Sequence, residues 1–585
     1  MTNQEILNKL NVLPKGGITC KKIKGKNGKE YEYHFLQWTE NGKQISKSIK
    51  SNEVDIINVQ LEERKRLENL LKFPHKMINE TIIEFNTQIR LGNELKSFVE
   101  SVKGYKKRDG FKDLFNYVYG DEYNKVFILY GLRRTGKTTL IKQLILDMNI
   151  NDFNKTAFIQ ISKNDNLAKL NKDLMKLEKQ RYKYIFIDEV TFLDDFIEGA
   201  ALLSDIYAAS GMKIILSGTD SLGFWITKSN ELYDRCKLLH TTFISYKEFS
   251  SVLGISGIDN YIEYGGTMSI SGVKYNYFSK KAQIDEYINT VIANNIQHSL
   301  KEYQYGGHFR HLYSLYEQNE LTSAINRVVE DMNHRFTIEV IERDFKSNDL
   351  ALSANNLRKD SINPTTILDD IDKYSFTERL RELLEIKNKN ERTIRIDDEH
   401  IVEIKEYLIA LDMIEKIEIK DINSSNKCGV RYVFTQPELR YAQAKSFIDS
   451  LLLDDVFNNI SASEKKYIIS RILSDIKGRM MEDIVLLETK LANPNKNVFK
   501  LQFSDGEFDM VINDPETLET QIYEIKYSQE RVSEQTRHLL DKDKCDLTEF
   551  RYGTISKKAV IYRGKTCVNN EIDYINVEEY LSTLH

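Results

Sequence analysis

Cysteine, proline and long apolar runs are all scarce in this chain of 585 residues. Its five cysteines are scattered and form no Cys-x-x-Cys pair, so the sequence supports neither a zinc site nor a disulfide framework. With six prolines and no Gly/Ser-rich tract, we expect domains that are joined through helices. No apolar run approaches the length of a membrane span, and the first residues lack the pattern of a signal peptide. These absences favour a protein of the reducing cytoplasm with no membrane partner.

The overall charge excludes one further class of function. The formal net charge is −5 and the sequence pI is about 6.2. A chain that binds nucleic acid over its whole surface is basic, so any such surface here must be local. Hydrophobic residues make up 41% of the chain and charged residues 29%, which predicts several globular domains at this length.

The strongest motif is a phosphate-binding loop at residues 131–138. The apolar segment Val126–Tyr130 before it predicts a buried strand, and Thr139–Leu146 after it predicts a helix. In that context the N–H groups of the loop and the N-terminus of the helix attract phosphates. Lys137 is predicted to reach the β and γ phosphates of ATP as a catalytic group, and Thr138 to hold Mg²⁺. The predicted ATP-binding residues are Gly131, Leu132, Arg133, Arg134, Thr135, Gly136, Lys137, Thr138 and Thr139.

A second set of residues predicts that ATP is hydrolysed. A buried strand is predicted to end in Asp188 and Glu189, about one βαβ unit after the loop. We expect Asp188 to bind Mg²⁺ and Glu189 to polarise the attacking water as a catalytic group. The next predicted strand ends at Ser217 and Thr219, which either sense the γ-phosphate or form a simple turn. Arg235 is a candidate catalytic arginine that stabilises charge; a surface arginine is the alternative.

The N-terminal residues 1–50 form a basic segment, with ten lysines and four glutamates that give a net charge of +6. Short apolar-aromatic runs between turn residues predict a small antiparallel β module. Its aromatic side chains either form a nucleic-acid surface with the lysines or pack into a small core. These aromatics are Tyr31, Tyr33, Phe35 and Trp38. Residues 51–104 are predicted as a helical linker, with an amphipathic helix at 58–71.

The middle of the chain divides into three predicted parts. Residues 105–250 form the P-loop ATPase core, and residues 251–365 form a helical lid. Residues 366–450 are predicted as a winged helix, because helices precede two strand-like runs around a turn. Apolar residues at helical spacing support helices at 284–300 and 380–386. The wing either contacts DNA or serves as a packing module.

Residues 451–585 carry a second set of charged residues. Glu482 lies in a predicted helix, Asp509 near the start of a predicted strand, and Glu524 and Lys526 on one face of the next strand. Two carboxylates converging from adjacent strands bind Mg²⁺, or Mn²⁺ in its place, and a lysine beside them orients water. That is the chemistry of the PD-(D/E)xK nucleases, with Asp509, Glu524 and Lys526 as catalytic groups and Glu482, Asp509 and Glu524 as metal ligands. Solvated charges at a sheet edge are the alternative.

Taken together, these motifs resemble a prokaryotic family of AAA+-type P-loop ATPases with a winged helix and a C-terminal PD-(D/E)xK nuclease-fold domain. Residues 131–138 resemble the family's G-x-R-R-x-G-K-T loop, with Leu132 where proline is usual. Further matches cover the acidic strand, the sensor segment, an arginine after it, the end of the wing and the two nuclease segments. These matches are Ile187–Glu189, Ser217–Thr219, Arg235, Tyr432–Thr435, Leu439–Arg440, Gly506–Asp509 and Glu524–Lys526.

The resemblance covers roughly residues 105–585 and departs from the family after the wing, where Gln436 and Glu438 replace an aspartate and a glycine. The first 70 residues lie outside it and are similar to a small Lys- and Tyr-rich module of uncharacterised prokaryotic proteins. The family implies roles in mobile-element biology, antiviral defence or signalling, and many of its members keep the nuclease fold without activity.

The sequence therefore predicts a multidomain α/β protein. It comprises a small N-terminal β module, a P-loop AAA+-type ATPase core, a helical and winged-helix middle and a C-terminal PD-(D/E)xK α/β nuclease-like domain. The leading hypothesis is an ATP-hydrolysing, homo-oligomeric enzyme whose nucleotide state gates Mg²⁺-dependent cleavage of DNA. The rival is a regulatory ATPase switch, in which the C-terminal domain binds nucleic acid or a protein partner without cleaving.

Overall fold

The computed structural model describes residues 9–24, 30–40, 43–72, 84–193, 196, 201–219, 235–268, 310–318, 320–346, 397–423, 427–451, 461–568 and 571–584. The helices expected at 284–300 and 380–386 lie outside these ranges. The chain divides into two compact units, Met1–Phe85 and Asn86–His585. Within the described ranges, no helix has both the length and the apolarity needed to cross a membrane.

The first unit is a three-stranded antiparallel sheet followed by a helix, as the turn residues and alternating apolar positions indicate. Its order is β1-β2-β3. The elements are β1 (Gly17–Lys24), β2 (Glu30–Glu40), β3 (Lys43–Ile49), a 3-10 turn (Ser51–Glu53) and α1 (Val54–Lys72). The helix begins and ends close to the bounds predicted for it.

The aromatic side chains of this module lie on different faces of the sheet. The sequence left open whether they pack into a core or form a nucleic-acid surface. Leu36 and Trp38 belong to a small core with Leu61 of α1. Because side chains alternate along a strand, Tyr33 and Phe35 lie on the other face. Tyr33 is 45% exposed, and the Nζ atom of Lys21 lies 5.8 Å from the ring centre of Phe35. The packed-core interpretation thus holds for Trp38, and nucleic-acid binding by the open face stays a prediction.

The ATPase core is a six-stranded sheet with helices on it. Its strand order is β4-β6-β7-β8-β5-β9, parallel except for β4 against β6. The strands are β4 (Gln88–Arg90), β5 (Val126–Tyr130), β6 (Thr156–Gln160), β7 (Tyr184–Asp188), β8 (Lys213–Gly218) and β9 (Cys236–His240). The helical segments are α2 (Gly92–Glu100), α3 (Phe111–Tyr119), α4 (Lys137–Leu146), α5 (Ile150–Phe153), α6 (Leu167–Lys179), a 3-10 turn (Val190–Phe192) and a π-helical turn (Leu203–Ala208).

The short apolar runs form central strands because both of their faces are covered. Every residue of β7 and β8 is buried. Parallel strands buried on both sides read as continuous apolar runs rather than alternating ones. Polar residues therefore follow the apolar run at the C-terminal end of each strand. Because the strands are parallel, these C-terminal ends lie at the same edge of the sheet. This edge holds the phosphate loop, Asp188 and Ser217.

The ATPase sheet begins earlier than the sequence predicted. Residues 51–104 were expected to be a helical linker, but β4 pairs with β6 and extends the sheet, and α2 packs on α4. Asp173 fixes the chain just before β4, because its buried carboxylate accepts hydrogen bonds from the backbone N–H groups of Asn86 and Thr87. Three residues are too short for an alternation pattern to predict the strand.

The described part of the segment expected to hold a lid and a winged helix consists mainly of helices. They are α7 (Tyr246–Ser251), α8 (Ile258–Tyr264), α9 (Arg310–Glu317), α10 (Leu321–Lys346), α11 (Asp398–Ala410) and α12 (Pro437–Leu451), with the hairpin strands β10 (Ile414–Asp421) and β11 (Lys427–Phe434) between the last two. The core formed by α9, α10, α11 and the hairpin also contains Leu132 of the phosphate loop, which is 1% exposed. The order of helix, hairpin and helix agrees with a winged helix, which stays a prediction.

The C-terminal region completes an eight-stranded mixed sheet of order β11-β10-β12-β13-β14-β15-β17-β16. Its elements are α13 (Ala462–Ala492), β12 (Asn497–Gln502), β13 (Glu507–Asp514), β14 (Glu519–Lys526), a 3-10 turn (Ser533–Thr536), α14 (Lys542–Tyr552), β15 (Thr554–Tyr562), β16 (Cys567–Val568), β17 (Asp573–Asn576) and α15 (Val577–Thr583). Strand β10 pairs in parallel with β12, so the sheet crosses the boundary expected at residue 450. Sequence periodicity carries no information about such a pairing between distant strands.

Candidate functional site

The phosphate loop depends on three left-handed backbone positions. The φ angles of Gly131, Arg134 and Gly136 are 142°, 64° and 87°. A Cβ atom at Gly131 would lie 2.2 Å from the carbonyl oxygen of Thr241, so glycine is required for space as well as for conformation. The helix α4 begins directly after Gly136. The loop thus curls around the N-terminus of a helix, the arrangement that binds phosphate.

Lys137 is drawn into this loop. Its Nζ atom donates to the carbonyl oxygens of Gly131 and Leu132 at 2.8 and 2.6 Å. Burial lowers the pKa of Lys137 to about 8, against the opposing charges of Glu189 and Asp188. An incoming phosphate would stabilise the charged ammonium, and the carbonyl contacts hold the side chain ready for it.

A metal-binding arrangement lies at the end of β7. The Thr138 hydroxyl donates to Asp188 Oδ2 at 2.8 Å, and the Ser217 hydroxyl donates to Asp188 Oδ1. A hydroxyl and a carboxylate oxygen are hard ligands of the kind that Mg²⁺ prefers. These groups therefore fit the ion, and Ser217 contacts the aspartate directly; sensing of the γ-phosphate by Ser217 or Thr219 stays a prediction.

Glu189 follows Asp188 in a strained conformation, with a φ of 55°. Its carboxylate accepts a hydrogen bond from Thr219 at 3.4 Å. Burial, and then the charge of Asp188, raises the pKa of Glu189. A left-handed non-glycine residue beside a candidate metal ligand is a typical sign of a constrained functional position.

Arg235 lies at the other end of the ATPase sheet. Its carbonyl accepts from the N–H of Val126, where β5 starts, and its side chain pairs with Asp205 at 3.2 Å. The loop follows the far end of β5, about 16 Å away for a strand of five residues. The β9 register therefore places Arg235 at the edge of the sheet opposite the loop of its own chain, and its role as a catalytic arginine stays a prediction. Any contact with the phosphates requires a neighbouring subunit.

Two residues that the sequence did not single out support the loop. Arg108 is buried, donates to the carbonyl oxygen of Thr135 at 2.5 Å and pairs with Glu248. The Thr241 hydroxyl lies 2.9 Å from that of Thr135. Both come from segments without a local motif, so no sequence signal indicated them.

The C-terminal charged residues also converge. Lys526 Nζ lies 2.8 Å from Asp509 Oδ2 and 2.5 Å from Glu524 Oε2. The Ile525 N–H donates to the same Asp509 oxygen at 2.9 Å. The period-two spacing of Glu524 and Lys526 therefore places both on the face that meets Asp509. Lys526 is the most exposed of the three, at 35% of its side chain.

Charge inside this cluster is unevenly distributed. Burial opposes ionisation of Asp509, but Lys526 and Lys500 outweigh it and hold its pKa well below the usual range. Burial and the charge of Asp509 raise the pKa of Glu524 to about 9. Within the described part of the chain, Glu524 Oε1 is buried without a hydrogen-bond partner. An orphaned carboxylate oxygen beside an ionised aspartate fits a divalent cation.

The negative charge of Glu482 is offset by more basic side chains than the sequence indicated. Its carboxylate is bound by Arg479 and lies 3.5 Å from Lys500 and 3.8 Å from Arg431. Lys500 is 1% exposed and also pairs with Glu507 at 3.0 Å. Arg479 precedes Glu482 by three residues in the same helix. Arg431 and Lys500 come from β11 and β12, and only the fold brings these two to Glu482.

One short segment connects the two sites. The Met268 N–H donates to the carbonyl oxygen of Arg134 in the phosphate loop at 2.7 Å. Nine residues earlier, Asp259 of α8 accepts hydrogen bonds from the hydroxyl of Tyr527 and from Arg563. Tyr527 follows Lys526 directly. The segment from α8 to Met268 thus contacts the loop at one end and the neighbour of Lys526 at the other.

Comparison with known proteins agrees with the first site. Residues 123–250 match an AAA domain family, and residues 2–58 match a domain of unknown function (DUF6788). No curated protein matches the chain. Among solved structures, the S. cerevisiae Hsp104–ADP complex aligns over 68% of this chain and 54% of its own, with 12% identity and a TM-score of 0.23. The chain therefore spans about half of that protein. The loop geometry and the family match together show that this protein contains an AAA-type P-loop ATPase domain.

Proposed function

We propose that this protein is an ATPase whose nucleotide state controls a Mg²⁺-dependent phosphodiesterase site acting on DNA. The observation that carries the proposal is the cluster of Asp509, Glu524 and Lys526, with its orphaned carboxylate oxygen, in a chain that also has a phosphate loop. The order of α13, three antiparallel strands, α14 and the parallel β15 supports a PD-(D/E)xK nuclease fold. The biological role would be prokaryotic defence or control of mobile elements, with the protein acting as a homo-oligomer.

At the ATPase site, each residue has a defined task. The loop N–H groups bind the phosphates, Lys137 neutralises charge on them, and Glu189 accepts a proton from water. Thr138 and Asp188 hold Mg²⁺, which supplies further neutralisation of phosphate charge when bound.

At the second site, Asp509 and Glu524 hold the metal and Lys526 places water against the phosphodiester. Glu482 contributes a further carboxylate once Arg479 or Lys500 releases it. Mg²⁺ or Mn²⁺, when bound, supplies Lewis-acid activation of the phosphate. Burial, and then the like charge of Asp509, raises the pKa of Glu524, and such an ion would offset both effects.

The proposal is tested by incubating supercoiled, linear and single-stranded DNA with the full chain, with Mg²⁺ or Mn²⁺, with and without ATP. We expect metal-dependent cleavage that changes with ATP in the wild type. In Lys137→Ala the ATP effect should disappear, since that substitution removes the phosphate-binding ammonium. Chelation of the metal should stop cleavage in both proteins. Metal-independent cleavage, or no cleavage with ATP hydrolysis intact, would contradict the proposal.

Coupling through α8 gives a separate prediction. Asp259→Asn removes the charge that binds Arg563 and Lys477, while the ATPase residues are untouched. We expect ATP hydrolysis to stay within about twofold and the ATP effect on cleavage to fall at least about fivefold, the lower range of allosteric coupling. The measurement is cleavage rate against ATP concentration. Asp205→Asn, at the far sheet edge, is the matched control, and an equal loss there would refute the assignment.

A regulatory switch is the second candidate. It is favoured by the contacts of the Glu482 carboxylate with Arg479 and Lys500, which offset its negative charge. In that case ATP changes the oligomeric state or partner binding, and no nucleic acid is cleaved. Light scattering with and without ATP, run beside the cleavage assay, separates the two functions.

A further inference from the structure

A cavity of about 480 Å³ lies between the ATPase core and the C-terminal region. Leu140 and Leu239 line it from the ATPase core. Leu491 and Ala492 at the end of α13, and Leu581 of α15, line it from the C-terminal region. The residues described so far at the phosphodiesterase site do not line it. The cavity is therefore separate from that site.

The cavity adjoins the phosphate loop. Thr241 and Arg108 line it, and both bond directly to Thr135 of the loop, through the Thr135 hydroxyl and carbonyl oxygen respectively. Leu140 lies in the first turn of α4, three residues after Lys137. A molecule whose phosphates are held by the loop would thus place its remaining part within reach of this cavity.

The lining suits a nucleoside. Small-molecule sites measure roughly 300–1,000 Å³ and combine apolar walls with a few polar groups. Here the apolar walls are mainly leucine and alanine side chains. The polar lining combines Thr241, Thr242 and Arg108 with Lys247 and four acidic residues, Asp109, Asp113, Glu248 and Glu488, and carboxylates accept hydrogen bonds from hydroxyl and amino groups such as a nucleoside carries. Gly110 also lines the cavity, and its missing side chain leaves room beside Leu239, which a Cβ atom would approach to 3.2 Å.

We propose that this cavity receives the nucleoside of ATP, and that α13 and α15 of the C-terminal region form one of its walls. The inference rests on the proposed binding of ATP by the loop. It adds that the nucleotide contacts the C-terminal region itself as well as the ATPase core.

The wall helix leads directly to the second site. Ala492 ends α13, and Glu482 lies in the same helix, ten positions earlier, or about 15 Å along the axis. Between them, Glu488 accepts hydrogen bonds from the N–H of Tyr246 and the hydroxyl of Tyr261 at 2.8 and 2.9 Å. Both tyrosines belong to the segment that follows β9. Occupation of the cavity would therefore press on a helix that carries a proposed metal ligand.

The test compares ATP with inorganic triphosphate, which has the phosphates and lacks the nucleoside. Ala492→Trp fills the cavity from the C-terminal wall. With the full-length variant, calorimetry should show ATP binding weakened at least about tenfold, the scale of steric overpacking, and triphosphate binding within about twofold of wild type. Gly110→Val, which fills the cavity from the ATPase wall, should show the same selective loss.

The controls separate this inference from ATP binding itself. Val568→Trp places the same bulk at a C-terminal position that is 82% exposed and should leave both ligands unaffected. Ala492→Leu adds less volume and should show a smaller loss confined to ATP. Unchanged ATP binding in Ala492→Trp, or an equal loss of both ligands in both Ala492 variants, overturns the inference. If the wild type binds neither ligand, the proposed ATP function itself fails.

Discussion

Lys526→Ala is expected to abolish DNA cleavage, with a loss of at least about a hundredfold, while ATP hydrolysis stays within about twofold. The ammonium group contacts both Asp509 and Glu524 and is the most exposed member of the cluster, so it is placed to meet substrate and water. Its removal leaves two buried carboxylates close together with less compensating charge. The ATPase residues lie on another sheet and have no contact with Lys526 among the described contacts. Cleavage and ATP hydrolysis are measured on the same preparation.

Lys557→Ala is the matched control for this substitution. Lys557 lies on the neighbouring strand β15, with its ammonium 6.0 Å from the ring centre of Tyr523, and within the described part of the chain it forms no ion pair with Asp509 or Glu524. Its loss should leave cleavage within about twofold. If Lys526→Ala cleaves at the wild-type rate, the site assignment is wrong. Equal losses in the two variants would indicate a general contribution of positive charge to DNA binding.

Glu189→Gln is expected to reduce ATP hydrolysis by about 10²–10⁴-fold and to preserve ATP binding, because the amide cannot accept a proton from water. Glutamine keeps the length of the side chain and can still pair with Thr219. The loop, Lys137 and the Thr138–Asp188 contact are unchanged, so the binding groups remain. Phosphate release measures turnover, and calorimetry measures ATP affinity.

The same substitution at a distant glutamate provides the comparison. Glu100→Gln changes an exposed residue at the end of α2, and hydrolysis should stay at the wild-type rate. Retained hydrolysis in Glu189→Gln would assign the water-activating role to another group. A loss of ATP binding in that variant would instead make Glu189 a binding residue.

The local features of both sites were available from the sequence. The phosphate loop is a continuous segment between an apolar strand and a helix, so its pattern and context are read together. Glu524 and Lys526 share a strand face because side chains alternate with a period of two. Asp188 and Glu189 directly follow the last apolar residue of a buried run. In each case the chemistry depends on residues that are neighbours along the chain.

Contacts between distant segments were decided by the tertiary structure. Lys500 and Arg431 reach Glu482 because β10, β11 and β12 share a sheet, and Arg235 lies away from the loop because of the register of β9. Leu132 occurs in the loop motif, yet its burial in the core of α9 to α11 follows from packing. The sequence by itself determined which residues are the candidates for binding phosphate and metal. Only the fold decided which charges compensate them and which helices line the cavity proposed for the nucleoside, because such contacts join different strands and helices and leave no periodic trace in the sequence.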